Sequence, residues 1–152
     1  MEEFLQANAQ IKTCEEVNAL GANASGLIWV KSSCDGGSAL SGQIGSPDYP
    51  VVLVVDGKLK PSTSLELYGM VFLRYTGDDS STCLTGGDGC PEWLPGGGTA
   101  LLFGSLIIEG GGKINGNVDI VYVPQVMLNI TGNPKNYQFG NIPGSWTDRL
   151  SY

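Results

Sequence analysis

The sequence contains no histidine, the residue that serves most often as a general base and as a transition-metal ligand. Charged residues occupy only 15% of the 152 positions, with 8 Lys or Arg against 15 Asp or Glu. The resulting net charge of -7 opposes binding to nucleic-acid phosphates, which depends on clustered basic side chains. No apolar run reaches the roughly 20 residues of a membrane-spanning helix. The composition therefore disfavours most catalytic templates, nucleic-acid binding and a membrane span within these residues.

The four cysteines, Cys14, Cys34, Cys83 and Cys90, include no C-x-x-C pair, and without histidine partners a zinc site is disfavoured. Four cysteines allow three disulfide pairings. We favour Cys83 with Cys90, because the glycine-rich "LTGGDG" between them curls back easily, and Cys14 with Cys34. Disulfides indicate an oxidising compartment such as the periplasm or the cell surface. The alternative is a cytosolic protein with four reduced, buried thiols.

Apolar spacing predicts one helix followed by many short strands. Apolar residues recur at intervals of three and four from Glu2 to Leu20, which predicts one amphipathic helix ended by the glycine of "GANASG". We therefore expect a helical segment over 1–22 and a single β-rich domain over 23–152. Runs rich in Val, Ile, Leu and aromatic residues, bounded by Gly, Pro, Asn and Asp, predict strands at 27–30, 51–55, 65–75, 100–110 and 113–123.

Two of the predicted strands repeat the same pattern. "LYGMV" at 67–71 corresponds to "LFGSL" at 102–106, so that Gly69 matches Gly104, 35 positions later. "VVDGKL" and "IIEGGGKI" share two aliphatic residues, an acid, glycine, lysine and an aliphatic residue. Repetition of a strand and a glycine corner predicts a mainly β, solenoid-like stack of short strands behind the N-terminal helix. A β-sandwich, a meander or an α+β pilin-like fold is the alternative.

The segment 76–99 has few apolar residues and is interpreted as an inserted loop that the second disulfide closes. Its acidic residues offer oxygen atoms of the kind that calcium prefers, although the spacing of an EF-hand is absent. Solvated loop acids are the simpler interpretation, and we expect no cofactor. The candidate calcium ligands are Asp78, Asp79, Asp88 and Glu92.

Aromatic and acidic residues suggest two further kinds of site. Trp29 lies inside a predicted strand and is expected in the core. Trp93 and Trp146 are the better candidates for surface exposure, where they could contact a partner or stack on a sugar, and packing in the core explains either of them about as well. Asp56 and Glu109 occupy matching places in the repeat, so they could face one groove as the carboxylate pair of a polysaccharide hydrolase. Two surface turn acids are the simpler interpretation.

Five segments taken in order resemble the C-terminal part of PilX-type minor pilins and related type IV pilus assembly proteins. They are "GLIWV", "GSPDYPVVLVVDGKL", "LELYGMVFLRY", "ALLFGSLIIEGGGKINGNVDIVYV" and "IPGSWTDRLSY". The resemblance runs from about Gly26 to the end, and its most specific pieces are "PVVLVVDG", the "G-x-(L/V)... G-x-I-x-G" body and the closing "PGSW-x-D". Family members commonly carry a basic residue after the tryptophan, where this chain has Thr147.

The resemblance implies an apolar N-terminal helix upstream of Glu2, preceded by a prepilin leader and continued by the segment 2–20. That helix would anchor the protein in the inner membrane, with the globular domain in the periplasm, and later insert in the pilus at the cell surface. The implied function is non-enzymatic: priming or joining pilus assembly with other minor and major pilins, and adhesion to host surfaces or glycans. The alternative is a secreted carbohydrate-binding or polymer-forming β-solenoid of the bactofilin kind.

Overall fold

The computed structural model describes residues 1–35, 40–62, 64–77, 83, 90–94, 99–111, 113–115 and 117–132. Within these residues the protein is mainly β, with two parallel sheets and short helices at both ends. The helices are α1 (Glu2–Asn8), α2 (Cys14–Leu20) and α3 (Pro124–Gly132). The strands are β1 (Gln10–Ile11), β2 (Gly26–Val30), β3 (Gln43–Ile44), β4 (Val51–Asp56), β5 (Lys58–Leu59), β6 (Glu66–Arg74), β7 (Glu92–Trp93), β8 (Thr99–Ile108), β9 (Lys113–Ile114) and β10 (Asn117–Val121).

The strands form a larger and a smaller sheet. The larger sheet has the order β1, β2, β4, β6, β8, β10. β3 also belongs to it and pairs with β6, on the side of β6 that faces β4. The smaller sheet has the order β5, β7, β9. All of these ladders are parallel. Meanders, hairpin-built sandwiches and α+β folds on an antiparallel sheet need antiparallel pairs, so these alternatives do not fit the described residues.

The repeated sequence patterns lie directly beside each other in the larger sheet. Gly69 pairs with Gly104 and Leu67 pairs with Leu102, so the 35-residue repeat predicted from the sequence is the register of β6 on β8. The looser repeat also aligns, because Leu59 and Ile114 both pair with Trp93. The sequence repetition therefore reflects strand-on-strand stacking.

Glycine is required where β6 and β8 pass closest to their neighbours. Gly69 has a φ of 144° and Gly104 a φ of 155°, values that L side chains rarely adopt. A Cβ added at Gly69 would lie 1.8 Å from the carbonyl oxygen of Val51, and one added at Gly104 would lie 1.7 Å from that of Gly69. Any side chain here would push the stacked strands apart.

Apolar side chains alternate between the two sides of the larger sheet. Along β6, Leu67, Val71 and Leu73 point inward and are buried, whereas Tyr68, Met70 and Phe72 are partly exposed on the outer side. The inner cluster fills the space between the two sheets. The outer cluster is covered by α1 through Leu5 and by α3 through Val126. The core thus has an interior part and an outer part that is closed by the two terminal helices.

The prediction of one uninterrupted helix over 2–20 is wrong. α1 ends at Asn8, and β1 then pairs with β2 before α2 begins at Cys14. Thr13 starts α2 with a capping box: its hydroxyl accepts a hydrogen bond from the Glu16 backbone N–H at 3.2 Å, and the Glu16 side chain accepts one from the Thr13 N–H. This cap satisfies the first backbone donors of a new helix and so favours a break before it. The predicted end of the helix is confirmed, because Gly21 follows Leu20 with a φ of 55°.

Both favoured disulfide pairings are confirmed. Cys14 is bonded to Cys34, and Cys83 to Cys90. The first bridge links the start of α2 to a residue that forms an isolated parallel bridge with Leu59 of β5. This disulfide therefore holds α2 against the end of the stacked strands that lies at β2.

Candidate functional site

Of the two interpretations of Trp93, surface contact is wrong and packing in the core is correct. Trp93 is 0% exposed, because the short strand β7 places its side chain in the inner cluster between Leu59 and Ile114. Among the residues that the structure describes, its indole N–H has no hydrogen-bond partner. Trp29 is buried, as the sequence predicted, while Trp146 lies outside the described residues.

The structure describes one of the four candidate calcium ligands. Glu92 lies in β7, and its carboxylate accepts a hydrogen bond from the Asn115 side chain. Asp78, Asp79 and Asp88 lie outside the described residues. In the part of the chain that is described, no three His, Cys, Asp or Glu side chains come together to hold a metal ion.

A polar network forms where β2, β4 and β6 end. Asp56 accepts two hydrogen bonds from Arg74, from Nε at 2.7 Å and from Nη2 at 2.8 Å, and a third from the indole N–H of Trp29 at 3.0 Å. Arg74 also lies 3.6 Å from the carboxylate of Glu2 on α1. The hydrogen bond to Asp56 raises the pKa of Arg74 against the lowering effect of burial, so the guanidinium stays charged. The network joins α1 to three strands.

Asp56 and Glu109 do not face each other across an open groove. Asp56 pairs in register with Arg74, and Glu109 follows the next strand, so Arg74 stands on the strand between the two acids. Two strand spacings separate their backbones by about 10 Å. The Glu109 carboxylate accepts a hydrogen bond from the Tyr75 backbone N–H at 2.8 Å. Both acids bind neighbouring strands, which is a structural use of a carboxylate.

An apolar groove lies on the outer side of the larger sheet, between α1 and α3. It is a cavity of about 270 Å³ whose floor is formed by Val52, Val54 and Phe72. Phe4 of α1 forms one wall, and Ile130 of α3 forms the other. We refer to this feature as the apolar groove. Apart from Thr131 its lining residues are apolar, so the groove suits apolar side chains better than a charged ligand.

The end of the stack at β9 and β10 presents apolar side chains to solvent. Within the described residues, each of these strands pairs on one side only. Ile114 pairs with buried Trp93 and Ile120 pairs with buried Leu102, yet the two isoleucines are 49% and 48% exposed. Tyr122, just after β10, is 71% exposed. These three exposed residues define the β9–β10 end.

The opposite end of the stack, at β2, is covered. The inward residues Ile28, Cys34 and Ile44 are 0% exposed, and they share the inner cluster with Cys14 and Val17 of α2. The two ends therefore differ: α2 covers one, and the other exposes core-type side chains. No signal in a single sequence distinguishes Ile114 and Ile120 from buried core positions, since their neighbours in the repeat are buried.

Comparisons with protein-family models, with curated proteins and with solved structures found no match to this chain. None of the helices in the described ranges combines the length and the apolar character needed to cross a bilayer.

Proposed function

We propose that this chain is a non-enzymatic contact domain of a type IV pilus system, of the minor-pilin kind, that joins or primes pilus assembly. The proposal combines the resemblance of "PVVLVVDG" and "PGSW-x-D" to PilX-type proteins with the two disulfides, which suit the periplasm and the cell surface. Adhesion to a host surface or glycan is a further role within the same proposal.

The two sheets are best explained as faces of one β-solenoid. Three rows of strands recur in the same order along the chain: one with β2 and β4, one with β5 and β7, and one with β3 and the start of β6. The last part of β6 continues the first row and the start of β8 continues the third. Each turn of the chain thus returns to the same row about 4.8 Å further along. Such a stack gives a rigid scaffold whose turns support only their neighbours.

The observation that carries the proposal is the difference between the two ends of this stack. Solenoids cover their terminal turns with polar or helical caps to stay soluble. Here α2 and the Cys14–Cys34 bridge provide such a cap at β2. The β9–β10 end exposes Ile114 and Ile120, which are side chains of the core type. An exposed apolar surface beside strand edges that pair with no described strand suits a subunit-to-subunit contact.

The alternatives fit this geometry less well. A polymer that grows by stacking solenoid ends needs two complementary free ends, and α2 covers one of them. Sugar stacking on Trp93 is not possible in a residue that is 0% exposed. A hydrolase built on Asp56 and Glu109 would need both carboxylates free, yet both hold neighbouring strands; unchanged turnover after Asp56→Asn and Glu109→Gln would end that hypothesis.

The test is complementation of a gene deletion in the organism of origin. Deletion should abolish or strongly reduce surface pili, and the wild-type gene should restore them. We expect Ile120→Asp to fold with both disulfides intact and yet to fail in complementation, because a charge at the β9–β10 end opposes an apolar contact. Leu128→Asp is the matched control, since Leu128 is 63% exposed on α3. Normal piliation in the deletion strain would contradict the proposed function.

A further inference from the structure

We propose that the β9–β10 end binds the same end of a second copy of this chain, so that two stacks of strands meet in a closed two-fold dimer. The inference rests on the proposed function for the role of this end as a subunit contact, and it names the partner. The exposure of the last inward side chains, the capped opposite end, the edge of β10 and the charges along it support this partner.

Residues that pair in register form columns along the stack, and two of these columns end in an exposed isoleucine. In one column Leu67 and Leu102 are buried, and Ile120, which follows them in register, is half-exposed. In another column Trp93 is buried, and Ile114 beside it is half-exposed. A surface that covers both isoleucines has to present apolar groups in the same rows, about 4.8 Å further along the stack. The β9–β10 end of a second copy presents such groups.

Only one end of a second copy can bind there without rearrangement. The opposite end is covered by α2, which the Cys14–Cys34 disulfide links to the stack. Contact between unlike ends would have to displace α2, whereas contact between like ends leaves both copies intact. Like ends are related by a two-fold axis, and an interface of this kind closes after two subunits. The contact therefore gives a dimer and not a filament.

The edge of β10 can pair with a copy of itself in a register that opposes no like charges. A two-fold axis makes the two copies of β10 antiparallel, and inward residues then face inward residues. With the axis at Ile120, the two isoleucines lie opposite each other, and Asp119 lies opposite Val121. With the axis at Asp119, the two carboxylates would lie opposite each other, which is unfavourable. We therefore assign the axis to position 120.

The charges at this end permit the contact, although the chain as a whole carries a net charge of -7. The segment 105–121 has Glu109 and Asp119 against Lys113, so its side chains carry a net charge of -1. The segment 1–20, which contains α1 and α2, has four glutamates against Lys12, a net charge of -3. Repulsion between two copies is therefore weaker at the β9–β10 end than at the α2 end.

Sedimentation equilibrium of the purified, oxidised protein tests the partner. We expect a dimer that dissociates on dilution, with a dissociation constant raised at least tenfold in Ile120→Asp, because the contact would bury an unpaired charge. Ile114→Asp on β9 should have the same effect and keeps the test valid if Ile120→Asp fails to fold. Leu128→Asp is the matched control on α3 and should dimerise like the wild type. A wild-type monomer at the highest soluble concentration would overturn the proposal, and so would a dimer that only Leu128→Asp weakens.

A cysteine replacement tests the register of the two β10 strands. Directly opposite residues of an antiparallel pair have Cβ atoms about 4.5–5.5 Å apart, close to the separation that a disulfide spans. Ile120→Cys should therefore form a covalent dimer on mild oxidation, at a yield well above that of Leu128→Cys. Equal yields from the two variants would overturn the two-fold axis at position 120.

Failure of this inference can be told apart from failure of the proposed function. A monomeric wild type, together with loss of complementation in Ile120→Asp, would overturn the second copy as the partner and leave the pilus contact standing. A dimer that Ile120→Asp weakens, together with normal piliation of the deletion strain, would support the dimer and contradict the pilus role.

Discussion

Replacing Gly69 by alanine tests the close stacking of β4, β6 and β8. The new Cβ would lie 1.8 Å from the carbonyl oxygen of Val51, a backbone atom that cannot rotate away. Holding alanine at this φ costs about 1–3 kcal/mol, and the strand displacement that relieves the overlap costs a further 1–3 kcal/mol or so in lost packing. We expect a loss of about 3–5 kcal/mol, a large part of the roughly 5–15 kcal/mol that folds a domain.

The measurement is urea and thermal unfolding of the oxidised protein. At about 2–4 °C per kcal/mol for a chain of this size, Gly69→Ala should lower Tm by roughly 10 °C. Gly42→Ala is the control, because Gly42 has a φ of +69° but, beyond its two chain neighbours, no atom of the described residues lies within 4 Å of its added Cβ. It should lose only the strain of the left-handed backbone, about 1–2 kcal/mol. Equal losses in the two variants would refute the close-stacking argument.

Two further changes test the disulfide and the polar network. Replacing both Cys14 and Cys34 by serine should cost about 3 kcal/mol in urea unfolding, because the bridge closes a loop between residues separated by 20 positions. Arg74→Met should cost about 2–3 kcal/mol, because it leaves the carboxylate of Asp56, with 9% of its side-chain surface exposed, without its cation. Lys12→Met, which breaks an exposed pair, should cost about 0.5 kcal/mol or less.

The order of the losses in unfolding free energy among these variants is as informative as the size of each loss. Loss of the Cys83–Cys90 bridge should cost somewhat less than loss of Cys14–Cys34, about 2.5 kcal/mol, because it closes a shorter loop. The reverse order would contradict the role given to the first bridge at the α2 end. If Arg74→Met were as mild as Lys12→Met, the network of Asp56 would contribute nothing beyond an exposed ion pair.

The register of β6 on β8 could be predicted because the same residue pattern occurs in both strands. Gly69 and Gly104 need the same backbone conformation, so both are glycine, and they mark positions that pair in space. The second disulfide could be predicted for a related reason, since Cys83 and Cys90 close a short glycine-rich loop. In each case the information lies within a few residues or in a direct repeat.

Features that depend on the assembled fold could not be predicted in the same way. The break between α1 and α2 had a local signal, the capping box of Thr13 and Glu16, but the apolar spacing continued through it. Trp93 follows a polar, glycine-rich segment, and only the pairing of β7 with β5 and β9 shows that it is buried. Ile120 is exposed because β10 is the last strand of the larger sheet within the described residues, and no local pattern shows which strand ends a sheet.

The most direct test of the account is site-specific photo-crosslinking in cells that assemble pili. A photoreactive phenylalanine analogue replaces Ile120 at the β9–β10 end in one strain and Leu128 on α3 in another, two positions with 48% and 63% exposure. The account predicts a discrete adduct with another pilus subunit from position 120 and none from position 128. Adducts of equal yield from both positions, or none from position 120 in piliated cells, would contradict it.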